Sequence, residues 1–388
     1  PDDRCRVFGI VFDVGILRIL DPPCDERDGY ECQLFSRFSV DVYCGRHMSM
    51  GVSLCDLRAT VHLVRAPNRR NGNMNDGLIV NGKTLHPDMK AMLDARANAG
   101  PAETIAEQRT AWTAYSQALS QPHPDDMKVE DRDLPLPHGA VTVRVYTPAG
   151  ANENASCVIY SHGGGFMKGD LDSSDTFAWG VAQDTNSVVV SVDYRLAPEH
   201  PFPAAFDDVY GTLCYVAENA AAFGIDPGRI AVCGDSAGGN LSAAACLASR
   251  DRGGPKIVAQ SLIYPGTGLE QSGGSYEENA NAPGLTTAAT EKYRVMYIPD
   301  SEMANPYARP VIAHDFSNLP PAYVHTAQHD PIRDDGEIYA NKLRAAGNDV
   351  VYHCAENMIH GFLRARLLGP GGAAEYAKIA DWLRGYLQ

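Results

Sequence analysis

The sequence predicts an α/β fold, with a mostly parallel central sheet and helices on both faces. Two glycine motifs and a run of later strands carry the prediction. The pentapeptide Gly234-Asp235-Ser236-Ala237-Gly238 is a G-x-S-x-G motif between the apolar run 229–233 and the helix-forming run 240–247. The cluster His162-Gly163-Gly164-Gly165-Phe166 follows an apolar run of its own, 156–161. Further strand-like runs at 257–264, 322–327 and 350–354 alternate with helical stretches, the pattern of a parallel sheet with crossover helices.

Residues 1–75 do not share this pattern. The alternating runs 6–20 and 35–43 suggest strands, and 65–82 is rich in Asn, Gly and Arg and reads as a linker. A peripheral extension, a small accessory domain, or sequence from outside the natural enzyme all fit the segment. Met48, Met50 and Met74 are candidate natural starts. The expectation is that it is non-catalytic. From 86 to 120 the pattern becomes amphipathic helix, first over 87–93 and then over 104–119, and Pro122 and Pro124 end it. Strands resume at 129–134 and 140–146, followed by 156–161 and 229–233. Beyond the serine helix comes strand 257–264, then an insertion from 266 to about 309. Its helix, 286–298, carries Tyr293, Met296 and Tyr297, which either line a pocket or pack as an apolar stripe. Strands 322–327 and 350–354 precede a last helix, 372–387, with Trp382 a candidate for its buried face.

The glycine motifs point to acyl transfer. A G-x-S-x-G alone occurs by chance in roughly one such chain in five to ten, so its strand–turn–helix setting is what gives it weight. Neither glycine cluster has G-x-G-x-x-G spacing, and no G-x-x-x-x-G-K-[ST] is present, which disfavours nucleotide binding. A serine hydroxyl needs a base to become nucleophilic, and that base needs a carboxylate to orient it. Backbone N–H groups then stabilise the oxyanion. Ala237, next after Ser236, offers one such donor, and Gly163, Gly164 and Gly165 are candidates for the others. His162 opens that loop and reads as a positioning residue. In a serine elbow of this kind the partners follow in the order acid, then histidine, at the ends of later strands. Asp330 and His360 lie there. The competing acids Asp334 and Asp335 read as the start of the next helix, where carboxylates suit the dipole. His325 and His353 fall inside strand patterns, and His329 adjoins Asp330. His314 precedes the strand that leads to the acid.

With these residues assembled, the chain resembles the hormone-sensitive-lipase-like esterases, the bacterial family IV with an HGGG oxyanion motif, within the α/β-hydrolase superfamily. The resemblance covers about residues 85–388. It rests on 162–166, the block 193–205, 234–239, 330–334 and 360–362. It implies Ser236 as nucleophile, Asp330 as acid and His360 as base. It also implies a small helical cap built from 76–125 and from about 266–309, over a catalytic domain of 126–388. The implied activity is cofactor-independent hydrolysis of short-acyl esters through an acyl-enzyme. A ligand-binding protein on the same scaffold, and a lipase or amidase of this fold, are the alternatives. The resemblance further implies a homodimer. Two details qualify the match. Asp235 places the chain in the subgroup with Asp before the nucleophile. Asn357 replaces the glycine usual before the histidine, and Asn tolerates positive φ.

Composition sets the remaining bounds. A formal charge of −15 argues against nucleic acid and anionic membrane surfaces as partners. No uninterrupted apolar stretch is long enough to span a bilayer. No C-x-x-C is present and the histidines are scattered, so no metal is expected. Cys157, Cys214, Cys233, Cys246 and Cys354 read as reduced thiols within elements, and no secretory signal is evident. The expected compartment is therefore cytoplasmic.

Overall fold

The structure, a computed structural model, describes residues 77–388 and, before them, only the backbone of four short strands. The chain divides into two units, Pro1–Asp76 and Gly77–Gln388. In the first, β1 (Val11–Phe12) pairs with β2 (Gly15–Ile16) and β3 (Met48–Gly51) with β4 (Thr60–Leu63), both antiparallel. The expected strand 35–43 and the five cysteines of the first 75 residues lie outside the described residues.

The second unit opens with a hairpin where the composition suggests a linker. Strands β5 (Leu78–Val80) and β6 (Lys83–Leu85) pair antiparallel. Asn81 and Gly82 connect them with φ of 51° and 73°, the two left-handed residues that a type I′ turn demands. Next come α1 (Met89–Asn98) and α2 (Ile105–Leu119). A capping box starts α2: the Thr104 side chain accepts from Glu107 N, and the Glu107 carboxylate accepts from Thr104 N.

Eight strands form the central sheet: β7 (Lys128–Leu136), β8 (Gly139–Thr147), β9 (Ala155–Ser161), β10 (Val188–Val192), β11 (Ile225–Asp235), β12 (Ile257–Ile263), β13 (Ala322–His329) and β14 (Val350–Ile359). Their order is β14-β13-β12-β11-β9-β10-β8-β7. Every pairing from β10 to β14 is parallel, and β8 and β7 join antiparallel at one edge. β10 is four valines and Ser191, all buried, the near-continuous apolar run that burial on both faces requires. Helices α3 (Asp175–Thr185), α4 (Ala204–Glu218), α5 (Ala220–Phe223), α6 (Ala237–Arg252), α7 (Gly274–Glu278), α8 (Thr287–Tyr297), α9 (Arg333–Ala345) and α10 (Pro370–Leu387) complete the unit.

Successive strand residues feed two cores. Cys157 and Ile159 of β9 pack with Leu213 of α4, Leu241 of α6 and Leu343 of α9. Val158 and Tyr160 pack with Val181 of α3 and with Ile379 and Leu383 of α10. The α/β-hydrolase fold expected from the sequence is thus present: one mostly parallel sheet, helices on both faces. Trp382 is half-buried at the rim of α10, against Tyr323; Ile379 and Leu383 fill its buried face.

Candidate active site

Ser236 sits between the end of β11 and the start of α6 with φ 56° and ψ −113°. Such a conformation is strained for a serine and is held by its surroundings. Ser236 N donates to Ile263 O at 2.8 Å. The flanking glycines are required because the chains cross closely. A methyl group on Gly238 would overlap the Ser161 carbonyl oxygen, and one on Gly234 would overlap that of Gly238. The turn therefore lifts the Ser236 hydroxyl to the C-terminal edge of the sheet.

The sheet brings the other two residues to it. His360 Nε2 lies 2.8 Å from Ser236 Oγ, and His360 Nδ1 lies 2.7 Å from Asp330 Oδ2. Asp330 is fully buried at the end of β13, and its other oxygen accepts from Ile332 N at 3.0 Å. His360 follows β14, which runs five residues beyond the strand the sequence suggests. Asn357 takes φ 57° within it, beside a register irregularity against β13. The Asn357 N–H donates to Gln328 Oε1 at 2.7 Å. This left-handed residue turns the chain so that His360 faces the serine.

The glycine loop after β9 faces the same point. The N–H groups of Gly164, Gly165 and Ala237 have no protein acceptor among the described residues, and all three residues line the cavity over Ser236. Gly163 is a correction to the sequence reading. Its N–H donates to Asp235 Oδ1 at 2.8 Å and is therefore unavailable to a substrate oxygen. Asp235 also accepts from Tyr160 OH at 2.7 Å and from Tyr264 OH at 3.4 Å. Burial and the Asp235 charge hold the Tyr160 hydroxyl well above its ordinary pKa, so it remains a donor. Asp235 is thus a clamp between three strand ends. His162 is buried, stacks on Tyr194 with ring centroids 4.2 Å apart, and is kept neutral by burial.

The competing residues have other partners. Asp334 and Asp335 do open α9, but they also hold the 266–309 insertion. Asp334 accepts from Ser275 N, and Asp335 accepts from Gly268 N, Leu269 N and Tyr276 OH. Burial pushes the Asp335 carboxyl up to about 6. His329 Nε2 lies 2.9 Å from Thr84 O on the β5–β6 hairpin, and His314 is exposed. His325 and His353 both lie 2.9 Å from Glu375 Oε2. These three could offer ligand atoms to a metal, but the Lys378 ammonium already occupies the group, 3.0 Å from His353 Nε2 and 2.7 Å from Glu375 Oε1.

The block 193–205 is architectural in two directions. Arg195 is tied to the buried Asp208 of α4 through its N, Nε and Nη2. Glu199 reaches across to Arg109 of α2, which also donates to Met167 O and Ala197 O. The cavity wall draws on Trp112 and Tyr115 of α2, Tyr276 of α7 and Tyr293 of α8. The stripe on α8 therefore splits. Tyr293 lines the cavity, whereas Tyr297 is fully buried, stacked on Phe166 at 3.6 Å. Lys168, Arg309 and Arg364 also line it, and nothing in the sequence pattern singles them out beyond a cation placed amid glycine and apolar residues.

Known proteins resemble this chain in sequence and in fold. Residues 158–364 match a family described as having the alpha/beta hydrolase fold. The chain is 45% identical over 237 residues to a carboxylesterase, NlhH, of Mycobacterium tuberculosis, covering 60% of this chain and 74% of the relative. It is 37% identical over 335 residues to the carboxylic ester hydrolase LipN of the same organism, covering 84% of this chain and 89% of the relative. Among solved structures, an esterase of Pyrobaculum calidifontis superposes with a TM-score of 0.72 at 37% identity, covering 78% of this chain and 98% of that one.

Proposed function

The chain belongs to the α/β-hydrolase family that its residues 158–364 match, and from that membership and the Ser236–His360–Asp330 relay we infer a serine carboxylesterase. The relay is the observation that carries the reading: two consecutive contacts of 2.8 and 2.7 Å join a hydroxyl, an imidazole and a buried carboxylate.

The chemistry follows from these atoms. His360 Nε2 takes the Ser236 proton as Oγ bonds to the ester carbonyl carbon. The carbonyl oxygen becomes negative and is met by the N–H groups of Gly164, Gly165 and Ala237. As the carbon–oxygen bond to the alcohol breaks, His360 returns the proton to the leaving oxygen. An acyl-serine remains. Water, deprotonated by the same imidazole, releases the acid. Asp330 fixes the proton on Nδ1 and stabilises the imidazolium. Helices α1 and α2 and the 266–309 insertion act as a cap that shapes the acyl and alcohol pockets. Short acyl chains are the substrates we propose, since Lys168, Arg309 and Arg364 place charge in the cavity wall and burying a long apolar chain against charge is unfavourable.

Ser236→Ala tests the reading. Turnover of a 4-nitrophenyl ester should fall at least about a thousandfold with an unchanged unfolding midpoint. Wild-type turnover in that variant would refute it.

A further inference from the structure

The cavity over Ser236 concentrates cations in a chain whose formal charge is −15. Arg96, Lys168, Arg294, Arg309 and Arg364 line it; Arg294 pairs with Glu291, and Lys168, Arg309 and Arg364 make no ion pair with a carboxylate among the described residues. The two carboxylates in its wall, Asp235 and Asp335, have both side-chain oxygens engaged by backbone N–H and tyrosine hydroxyl donors. Arg309 donates to the Gly268 and Met303 carbonyls, which are neutral acceptors.

Lys168 and Arg364 converge on one side chain. The Lys168 ammonium lies 5.2 Å from the centre of the Trp112 ring, and the Arg364 guanidinium carbon lies 4.5 Å from it. Lys168 is only 8% exposed, and the partner its ammonium has is the Tyr293 hydroxyl at 2.7 Å. A tyrosine hydroxyl is uncharged and leaves two of the three ammonium N–H bonds over. Arg364 spends Nη1 on Ser116 Oγ and Ser173 O, again neutral acceptors. Trp112 Nε1 is buried and has no acceptor. A buried cation with only neutral partners is unfavourable, and an incoming anion relieves it. The Lys168 backbone N–H bonds Gly164 O at 3.2 Å, so this cation rides on the loop that meets the reacting carbonyl.

We propose that the esters this enzyme turns over carry a carboxylate of their own, held by Lys168 and Arg364 beside Trp112 while the ester carbonyl faces Ser236. Half-esters of dicarboxylic acids and O-acylated hydroxy acids are the compounds of that class. The guanidinium fork and the ammonium supply the planar and point-charge donors that a carboxylate accepts. This substrate assignment rests on the esterase reading above.

The test is a set of matched esters given to the full-length protein. One pair, 4-nitrophenyl hydrogen succinate and 4-nitrophenyl butyrate, places the charge on the acid side. A second, O-acetylglycolate and its methyl ester, places it on the alcohol side. In at least one pair the anionic ester should show about tenfold higher kcat/KM, mainly through KM, and the advantage should shrink with added salt. Lys168→Met should collapse the ratio between the paired esters, and Lys168→Arg should keep it. A neutral preference in both pairs, or a preference insensitive to salt and unchanged in Lys168→Met, overturns the assignment. Loss of turnover on all four esters would instead remove the esterase reading beneath it. The wild-type ratio and its salt dependence decide the matter even if Lys168→Met does not fold.

Discussion

Asp235 shows how much a single residue decides at this site. Its two oxygens accept from Tyr160, Gly163 and Tyr264, so one carboxylate joins the ends of β9, β11 and β12. The consequence for catalysis is indirect: it sets the path of the glycine loop and so the aim of the Gly164 and Gly165 N–H groups. Asp235→Ala would strand buried donors on Tyr160 and Gly163, at a cost of about 1–3 kcal/mol each. Turnover should fall about tenfold or more through kcat as the loop relaxes. Urea unfolding and steady-state kinetics on the variant check both; an unchanged kcat would mean that the loop is held by other contacts. The sequence marks Ser236, Asp330 and His360 because chemistry and chain order restrict them. It offers no comparable sign of the clamp, since adjacency to the serine does not say what the carboxylate touches. Gly163 is the same lesson in reverse. Three consecutive glycines look alike in sequence, and a hydrogen bond to a residue 72 positions away removes one from the proposed oxyanion donors.

Elements are where the sequence reading is strongest and where its omissions have clear causes. The long apolar runs, the capped α2 and the helix at 287–297 lie within a few residues of their expected positions. Strand β14 is longer than expected because its continuation, 355–359, mixes polar and apolar residues and bends at Asn357. The β5–β6 hairpin is missed for a different reason. Its Asn-Gly turn is a direct hairpin signal, masked by an Asn- and Gly-rich neighbourhood. Packing between elements also sets a pH response. His325 of β13 faces Glu375 of α10, and burial lowers its pKa to about 4. Unfolded, it would titrate near ~6.5. The folded state therefore binds fewer protons than the unfolded one between these values. The stability this confers is fully present above about 6.5 and is lost as the pH falls toward 4. Between pH 7 and 4.5 the loss should be about 2–3 kcal/mol. Denaturant unfolding at the two pH values checks it, and His325→Gln should flatten the difference.

At the scale of the whole molecule, each residue proposed for catalysis lies in Gly77–Gln388. We expect that a chain lacking residues 1–76 keeps kcat/KM within about threefold of the full chain; a collapse of turnover in a chain that stays folded would show that the first unit takes part. No described helix is long and apolar enough to cross a membrane. The layered α/β architecture, the strand–turn–serine–helix unit and the order of its partners are legible in the residues alone. These depend on periodicity, on glycines where backbones approach, and on residue types that no other chemistry requires. Which loop N–H groups remain free, which carboxylate clamps the loop, and the meeting of Lys168 and Arg364 at Trp112 emerge only once the chain is packed. Those facts arise from side chains that are far apart in sequence, and their partners are chosen by how strands and cap helices pack. A local pattern carries no record of that choice.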